Sequence, residues 1–401
     1  MGRRSWTKPL KEAQFDPKAI LNCVFAFSRQ QNYCGFNKHD ALNSPFLNGL
    51  FGWSRPTRLL ATQVVARAPI NLRPWLGVPK TRNPKGLGLF AQAHLDAFVA
   101  GMGQSHLGEA EHLLDLLLSS PSQGFKGLSW GYPYPWQDVG FFAPRHLPNR
   151  VVTCWIGFAF AEAAKITGIV RYREALPQIA QFLLEEPNIL ESSAEMLCYS
   201  YVPDPKVTWA VMDVSALMGA FLAEADAVLG TQQWTQTSQR LMRWVADKQT
   251  DYGAWFYTHP AKDSHITHDN YHTGIILDCF HRYEVAMGDE QFHGVWSRGL
   301  QYYAKALFQS NGAPRWMNNK RYPYDIHGAA SGILCFSRAA TVDKSWIEMA
   351  DRILDWTLEN MDSGKGWFYY QKGPFWTKRY CLLRWCNAWM AKALAYHLNR
   401  T

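Results

Sequence analysis

What is scarce in these 401 residues narrows the options first. Only 18% are Asp, Glu, Lys or Arg against 47% apolar, too few charges for a disordered chain and enough apolar side chains for a sizeable core. No uninterrupted run of about eighteen apolar residues occurs, so no membrane span is expected. The opening MGRRSWTKPLKEAQFDP carries positive charge with no apolar stretch behind it, which argues against a secretory leader and for a cytoplasmic protein. Eight cysteines, at 23, 34, 154, 198, 279, 335, 381 and 386, lie far apart and mostly in apolar stretches, as reduced core thiols do. No alternating strand pattern is convincing, and no linker rich in Ser, Pro or Gly divides the chain.

Aromatic residues, by contrast, are plentiful: 18 Trp, 18 Tyr and 22 Phe. Many stand beside Gly or Pro, and the phrase recurs as LSWGYPYPW near 130, LCYSYVP near 200, YGAWFY near 255, GAPRWM near 315 and GKGWFYY near 367. Each cluster is followed by an apolar helix rich in Gly, Ala and Ser, such as RVVTCWIGFAFAEAAKITG or DIHGAASGILCFSRAAT, suited to packing on both sides. Between one such helix and the next cluster lies an amphipathic helix with a charged face, for instance QQWTQTSQRLMRWVADKQ or KSWIEMADRILDWTLENM. An earlier pair, NPKGLGLFAQAHLDAFVAGMG and HLGEAEHLLDLLLSS, brings the inner helices to six.

Alternating inner and outer helices without strands predict an all-α fold, a closed (α/α)6 toroid or six-hairpin barrel over residues 76–401. Residues 1–75 do not fit the repeat and are expected to form an extra helical N-terminal segment packed on the toroid.

In such a ring the inner helices begin at one rim, so their entrances converge. HITHDNYHTGIILDCF, residues 265–280, is the densest of these entrances. Asp, Asn and Thr at a helix start are often plain caps, but a cap needs one short oxygen-bearing side chain, not Asp with two His and a Tyr. His268 and His272 have metalloprotease spacing, yet Asp stands where Glu would act as base and His268 precedes the helix. No metal and no cofactor is therefore expected.

Acid and base chemistry on a sugar fits better. Asp269 and Asp325 occupy equivalent places one repeat apart, as the two carboxyls of a glycoside hydrolase would, with Asp213 and Asp138 in reserve. The rival is proton abstraction beside a uronate carboxylate, giving elimination or C5 epimerisation, with His272, His327, Tyr271 or Tyr324 as acid and base. Arg150, Arg379, Arg384 and Asn270 would then hold the carboxylate, and Trp130, Tyr132, Trp136, Trp255, Tyr257 and Trp316 would offer rings for sugars to stack on. Forty-one basic against 33 acidic residues, a formal +8, suit an acidic saccharide, while their scatter disfavours a nucleic-acid stripe. Two further readings use the same hollow: a terpenoid cyclase or prenyltransferase, which lacks its Asp-rich magnesium motif here, and a non-catalytic glycan-binding scaffold.

GFNKHDALNSPFL, INLRPWLGVPKTRNPKGLGLF, WGYPYPWQ, DNYHTGIILDCFHRYEVAMGD, YPYDIHGAASGI and RWCNAWMAKALA resemble bacterial proteins of the six-hairpin glycosidase-like superfamily found among genes for cell-surface polysaccharide synthesis. The resemblance runs from about residue 35 to the end. It implies an α/α toroid with a saccharide in its funnel, and a setting in which the protein associates with a polysaccharide-synthesis complex. The superfamily spans hydrolases, lyases and epimerases, so no catalytic motif is carried over.

Overall fold

The computed structural model describes residues 15–400; the first fourteen residues of the N-terminal segment, which hold most of the leader-like opening, lie outside them. Six inner helices, α4 (Pro84–Val99), α6 (Arg150–Thr167), α8 (Met212–Leu229), α10 (Asn270–Met287), α12 (Ile326–Ala339) and α14 (Trp389–Leu398), each touch the next, and α14 returns to α4. The ring is closed. Outside it, α5 (Ser105–Leu118), α7 (Val170–Glu185), α9 (Thr235–Asp247), α11 (His293–Ala306) and α13 (Ile347–Met361) each lie on the inner helix before them in sequence. The outer partner of α14 comes from the other end of the chain: α1 (Pro17–Gln30) packs on it with Leu21, Val24 and Phe25 buried. Two further helices of the N-terminal segment, α2 (Pro45–Phe51) and α3 (Arg55–Arg67), cover the entrance rim, where α3 meets Trp136–Gln137. Among the described residues no helix is long and apolar enough to cross a membrane.

Inner helices are buried nearly all round because small residues let them approach. A Cβ on Gly157 of α6 would come within 2.5 Å of Phe221 on α8. Four of the six begin with an Asx cap: Asn83, Asn149, Asp269 and Asp325 each accept a backbone N–H from the first turn.

The recurring aromatic clusters have a backbone purpose. The first N–H of an inner helix has no partner inside that helix, and here it donates to an aromatic residue's carbonyl in the next cluster: Arg150 to Tyr201 (3.1 Å), Met212 to Tyr257 (2.9 Å), Asn270 to Trp316 (3.3 Å) and Ile326 to Tyr370 (3.3 Å). Four of the six entrances are thereby laced to the aromatic cluster that follows.

The glycines of the clusters serve the outer ring. Gly253 has φ +92° and lies so close to α11 that a Cβ would stand 2.6 Å from the Arg298 carbonyl oxygen. Gly366, with φ +79°, makes the same contact with Cys23 of α1, at 2.5 Å. This equivalence marks α1 as the sixth outer helix. Replacing Gly366 by Ala therefore places a Cβ in the left-handed region and drives it into the α1 backbone. A loss of about 2 kcal/mol or more is expected in urea unfolding, and an unchanged midpoint would remove α1 from the ring.

Candidate functional site

The polar residues that start the inner helices meet at the centre of the rim. Asp269 caps α10, accepting from the His272 N–H (3.4 Å), and its other oxygen lies 2.9 Å from His272 Nδ1. Capping and chemistry thus share one carboxylate. Burial opposes a charge on His272, but Asp269, with help from Asp213, outweighs it and raises the imidazole pKa above its usual value. The next entrance is built differently. Asp325 caps α12 through the His327 N–H (2.9 Å) and also accepts from Trp385 Nε1 (2.8 Å) and Gln371 Nε2 (2.7 Å); burial raises its pKa against these donors and Lys38.

His327 itself is only 2% exposed, and neither of its ring nitrogens has a hydrogen-bond partner in the protein. Its ring lies among Tyr271 (4.7 Å, parallel), Trp385 (4.5 Å) and Trp389 (4.3 Å). Burial holds its pKa well below the usual value, helped by Lys85, Arg384 and Lys38. Tyr271 touches both imidazoles, since its ring is also 4.2 Å from His272. Burial and the carboxylates around it push the Tyr271 phenol up, so it stays protonated and can donate but not act as base.

Three cations face this pair. Lys38 enters from the N-terminal segment, its Nζ 3.9 Å from the Trp385 ring centroid and 5.5 Å from that of Trp316. Burial lowers its pKa to about 8 although Asp325 and Asp269 oppose this. The loop that carries it is fixed by a buried ion pair, Arg73 Nε to Asp40 Oδ1 at 2.6 Å. Lys85 lies over Trp155 and Trp389, its pKa brought down to about 7 by burial and Arg384. The Arg384 guanidinium stands over Tyr132 at 5.2 Å. Asp213 is buried with Oδ1 unpartnered, and burial, with Asp269 adding, raises its pKa. Asp138, raised chiefly by burial, feels His272 and Lys38.

Of the residues singled out from sequence, the structure brings together Asp269, His272, Asp325, His327, Arg384, Tyr132, Trp136, Tyr257 and Trp316. Tyr257 stands 4.5 Å from His272, and Trp136 joins Tyr132 edge-on at 5.4 Å. Others face elsewhere. Tyr324 precedes Asp325 in a two-residue strand, where neighbours point to opposite faces; its ring packs on Trp356 of α13 and its hydroxyl accepts from Gln309 (2.6 Å) and Arg321 (2.7 Å). Arg150 is fully buried and donates to the carbonyls of Leu183, Glu186, Pro187 and Ser200. Asn270 spans to α11, donating to Leu307 O and accepting from Tyr303. Trp130 and Trp255 donate their indole N–H to carbonyls of the preceding outer helices, Leu117 and Val245. Arg379 is exposed beside Tyr369.

His268 turns from His272. Its Nδ1 meets Trp255 O (2.7 Å) and its Nε2 meets Tyr252 (3.0 Å), so neither nitrogen is open to a ligand. Among the described residues no three His, Cys, Asp or Glu side chains converge as a metal site would need. Sequence reasoning passed over Lys38, Trp385 and Trp389. The last two stand four residues apart, which puts them on one helical face, a readable signal; Lys38 shows only as a charged NKHD between aromatic residues.

No family model matches the chain, and no curated protein does either. Solved structures do. A cellobiose 2-epimerase from Bacillus thermoamylovorans superposes with a TM-score of 0.64 at 13% identity, covering 80% of this chain and 88% of its own. The (α/α)6 toroid is thereby shown as the fold. An unsaturated glucuronyl hydrolase specific for heparin matches six-hairpin architecture over 95% of this chain and 96% of its own, with a TM-score of 0.62 at 11% identity. An α-mannanase of glycoside hydrolase family 76 from Bacteroides thetaiotaomicron gives 0.58 at 15%, over 78% and 85%.

The raised His272 pKa has a consequence for stability. A folded-state pKa above the unfolded value means extra protons bound by the native state, so the contribution of the Asp269 pair is full below about pH 6.5 and is lost as pH rises through the raised value. The stability lost in His272→Gln should be larger at pH 6 than at pH 9 in urea melts. An equal loss at both would show that the imidazole gains nothing from its carboxylate.

Proposed function

We propose that the protein is an enzyme that moves a proton on a saccharide, with His272 and His327 as its acid and base. One observation carries this reading: two imidazoles against one phenol ring, one paired with Asp269, which raises its pKa, and the other with both nitrogens free and its pKa lowered by burial. Environments that drive like groups apart in this way assign the two halves of acid–base catalysis. Asp269 and Asp325 fit it as positioning residues, since their oxygens already accept from His272, His327, Trp385 and Gln371.

In this mechanism a uronate sits with its carboxylate towards Lys38, Lys85 and Arg384. His327 takes the proton from the carbon beside the carboxylate, and the electron pair left behind spreads onto the carboxylate oxygens, where the cations stabilise it. The proton of His272 then goes to one of two places. Delivered to the opposite face of that carbon, it gives the epimer; delivered to the glycosidic oxygen as the bond to the adjacent carbon breaks, it gives an unsaturated sugar and a free hydroxyl. Folds shared with a cellobiose 2-epimerase and a heparin-specific unsaturated glucuronyl hydrolase support a saccharide in this funnel.

Hydrolysis is a second reading, favoured by Asp213: a buried carboxyl with a raised pKa and an unpartnered oxygen suits a general acid. Incubation with uronate-containing glycans in deuterated water separates the two. Either deuterium at the carbon beside the carboxylate, from epimerisation, or an absorbing unsaturated product, from elimination, is expected, and His327→Gln and His272→Gln should each lower the rate by about 10²–10⁴. New reducing ends with neither deuterium nor an unsaturated product would sink the proton-transfer reading in favour of Asp213.

A further inference from the structure

A cleft of about 490 Å³ opens on the entrance rim, outside the imidazole pair. Its volume suits one or two sugar rings. One wall is α3 of the N-terminal segment, with Arg55 and Arg58; the facing wall carries Lys206, Trp209 and Phe142. Both arginines are held in place by neutral acceptors. Arg55 donates to Val139 O (2.6 Å), and Arg58 donates to Gln137 Oε1 (2.7 Å) and Gly52 O (2.9 Å) with its guanidinium 4.4 Å from the Phe142 ring centroid. Five N–H groups on each guanidinium leave donors to spare. Asp263 also lines the cleft, yet no carboxylate of the described residues forms an ion pair with Arg55, Arg58 or Lys206. Three cations, the two arginines held in place, against one acid leave a local excess of positive charge beside aromatic faces. That combination recognises a sugar ring bearing an oxyanion.

Packed rings lead from the cleft to the site. Trp209 meets Tyr257 edge-on at 5.9 Å, and Tyr257 is 4.5 Å from His272. We propose that this cleft is a second saccharide subsite, holding an anionic sugar, carboxylate or sulfate, next along the chain from the unit at His272 and His327. The inference rests on the saccharide reading of the funnel and extends it: the substrate is an acidic oligosaccharide rather than a single sugar, and residues of the N-terminal segment select it.

Binding of four probes tests this by calorimetry: an oligogalacturonate, a sulfated heparin oligosaccharide, a neutral manno-oligosaccharide and a single-stranded oligodeoxynucleotide of matched charge. The test variant is Arg55→Gln with Lys206→Gln, two exposed side chains whose loss leaves the core intact. Tighter binding of an anionic than of the neutral oligosaccharide is expected, and the double variant should weaken it about tenfold or more while free galacturonate binds as to the parent. Whichever anionic probe binds tighter identifies the oxyanion as carboxylate or sulfate. Equal binding of neutral and anionic chains, no saccharide binding, an undiminished affinity in the double variant, or tighter binding of the oligonucleotide would each overturn the subsite. His327→Gln keeps the two proposals apart: it should abolish deuterium exchange and formation of unsaturated product while the preference for anionic over neutral oligosaccharides persists. Charge-dependent binding with neither exchange nor an unsaturated product in the parent retains the subsite and removes the proton-transfer chemistry.

Discussion

The site exists because the first and last inner helices meet. Lys392 of α14 reaches across to α4, its Nζ 2.7 Å from Asp96 and 3.3 Å from Glu162 of α6, with Lys392 and Asp96 both buried. A buried ion pair is poor evidence of net stability, because desolvation offsets most of the attraction, but an unmatched partner is severely penalised. The contact therefore rewards one register of closure. A second buried set, Arg282 with Asp278 and Glu224 and Arg338 with Asp278, ties α8, α10 and α12 in the same manner.

Closure makes the entrances convergent. Polar side chains that begin helices hundreds of residues apart are brought to one mouth, and the N–H groups that a helix start leaves unpaired are satisfied by carbonyls of the adjacent aromatic cluster. One consequence is a low-dielectric pocket packed with ionisable groups, where burial and neighbouring charges act in opposite senses on chemically identical side chains. His272 has a carboxylate against its ring and its pKa is raised; His327 has three cations and two indoles around it and its pKa is lowered. Lys38 and Lys85 feel the same confinement, and both are brought down towards neutrality.

The N-terminal segment is part of this machinery. α1 completes the outer ring, the Arg73–Asp40 pair fixes the loop that delivers Lys38, and α3 forms a wall of the cationic cleft. None of this shows in the repeat pattern, because the segment contributes by position and not by periodicity. Its helix α1 stands far in sequence from α14, so no local signal pairs the two.

Composition and spacing alone determined the ring of hairpins, the inner and outer helices and the gathering of polar residues at one rim, since burial on both faces and 3.6-residue periodicity are written locally. Asp269 and Asp325 were legible as helix starts for the same reason. Which side chain faces the hollow was decided by tertiary structure. At a helix entrance consecutive residues point in different directions, so Asp325 turns inward while Tyr324 packs outward, and Asn270 leaves the rim that Tyr271 and His272 line. The aromatic clusters divided likewise: Trp130 and Trp255 reached carbonyls of outer helices and became packing, while Tyr132, Tyr257 and Trp316 stayed at the mouth. Charge state was the last thing settled, because a histidine's proton depends on partners that only closure of the chain brings near.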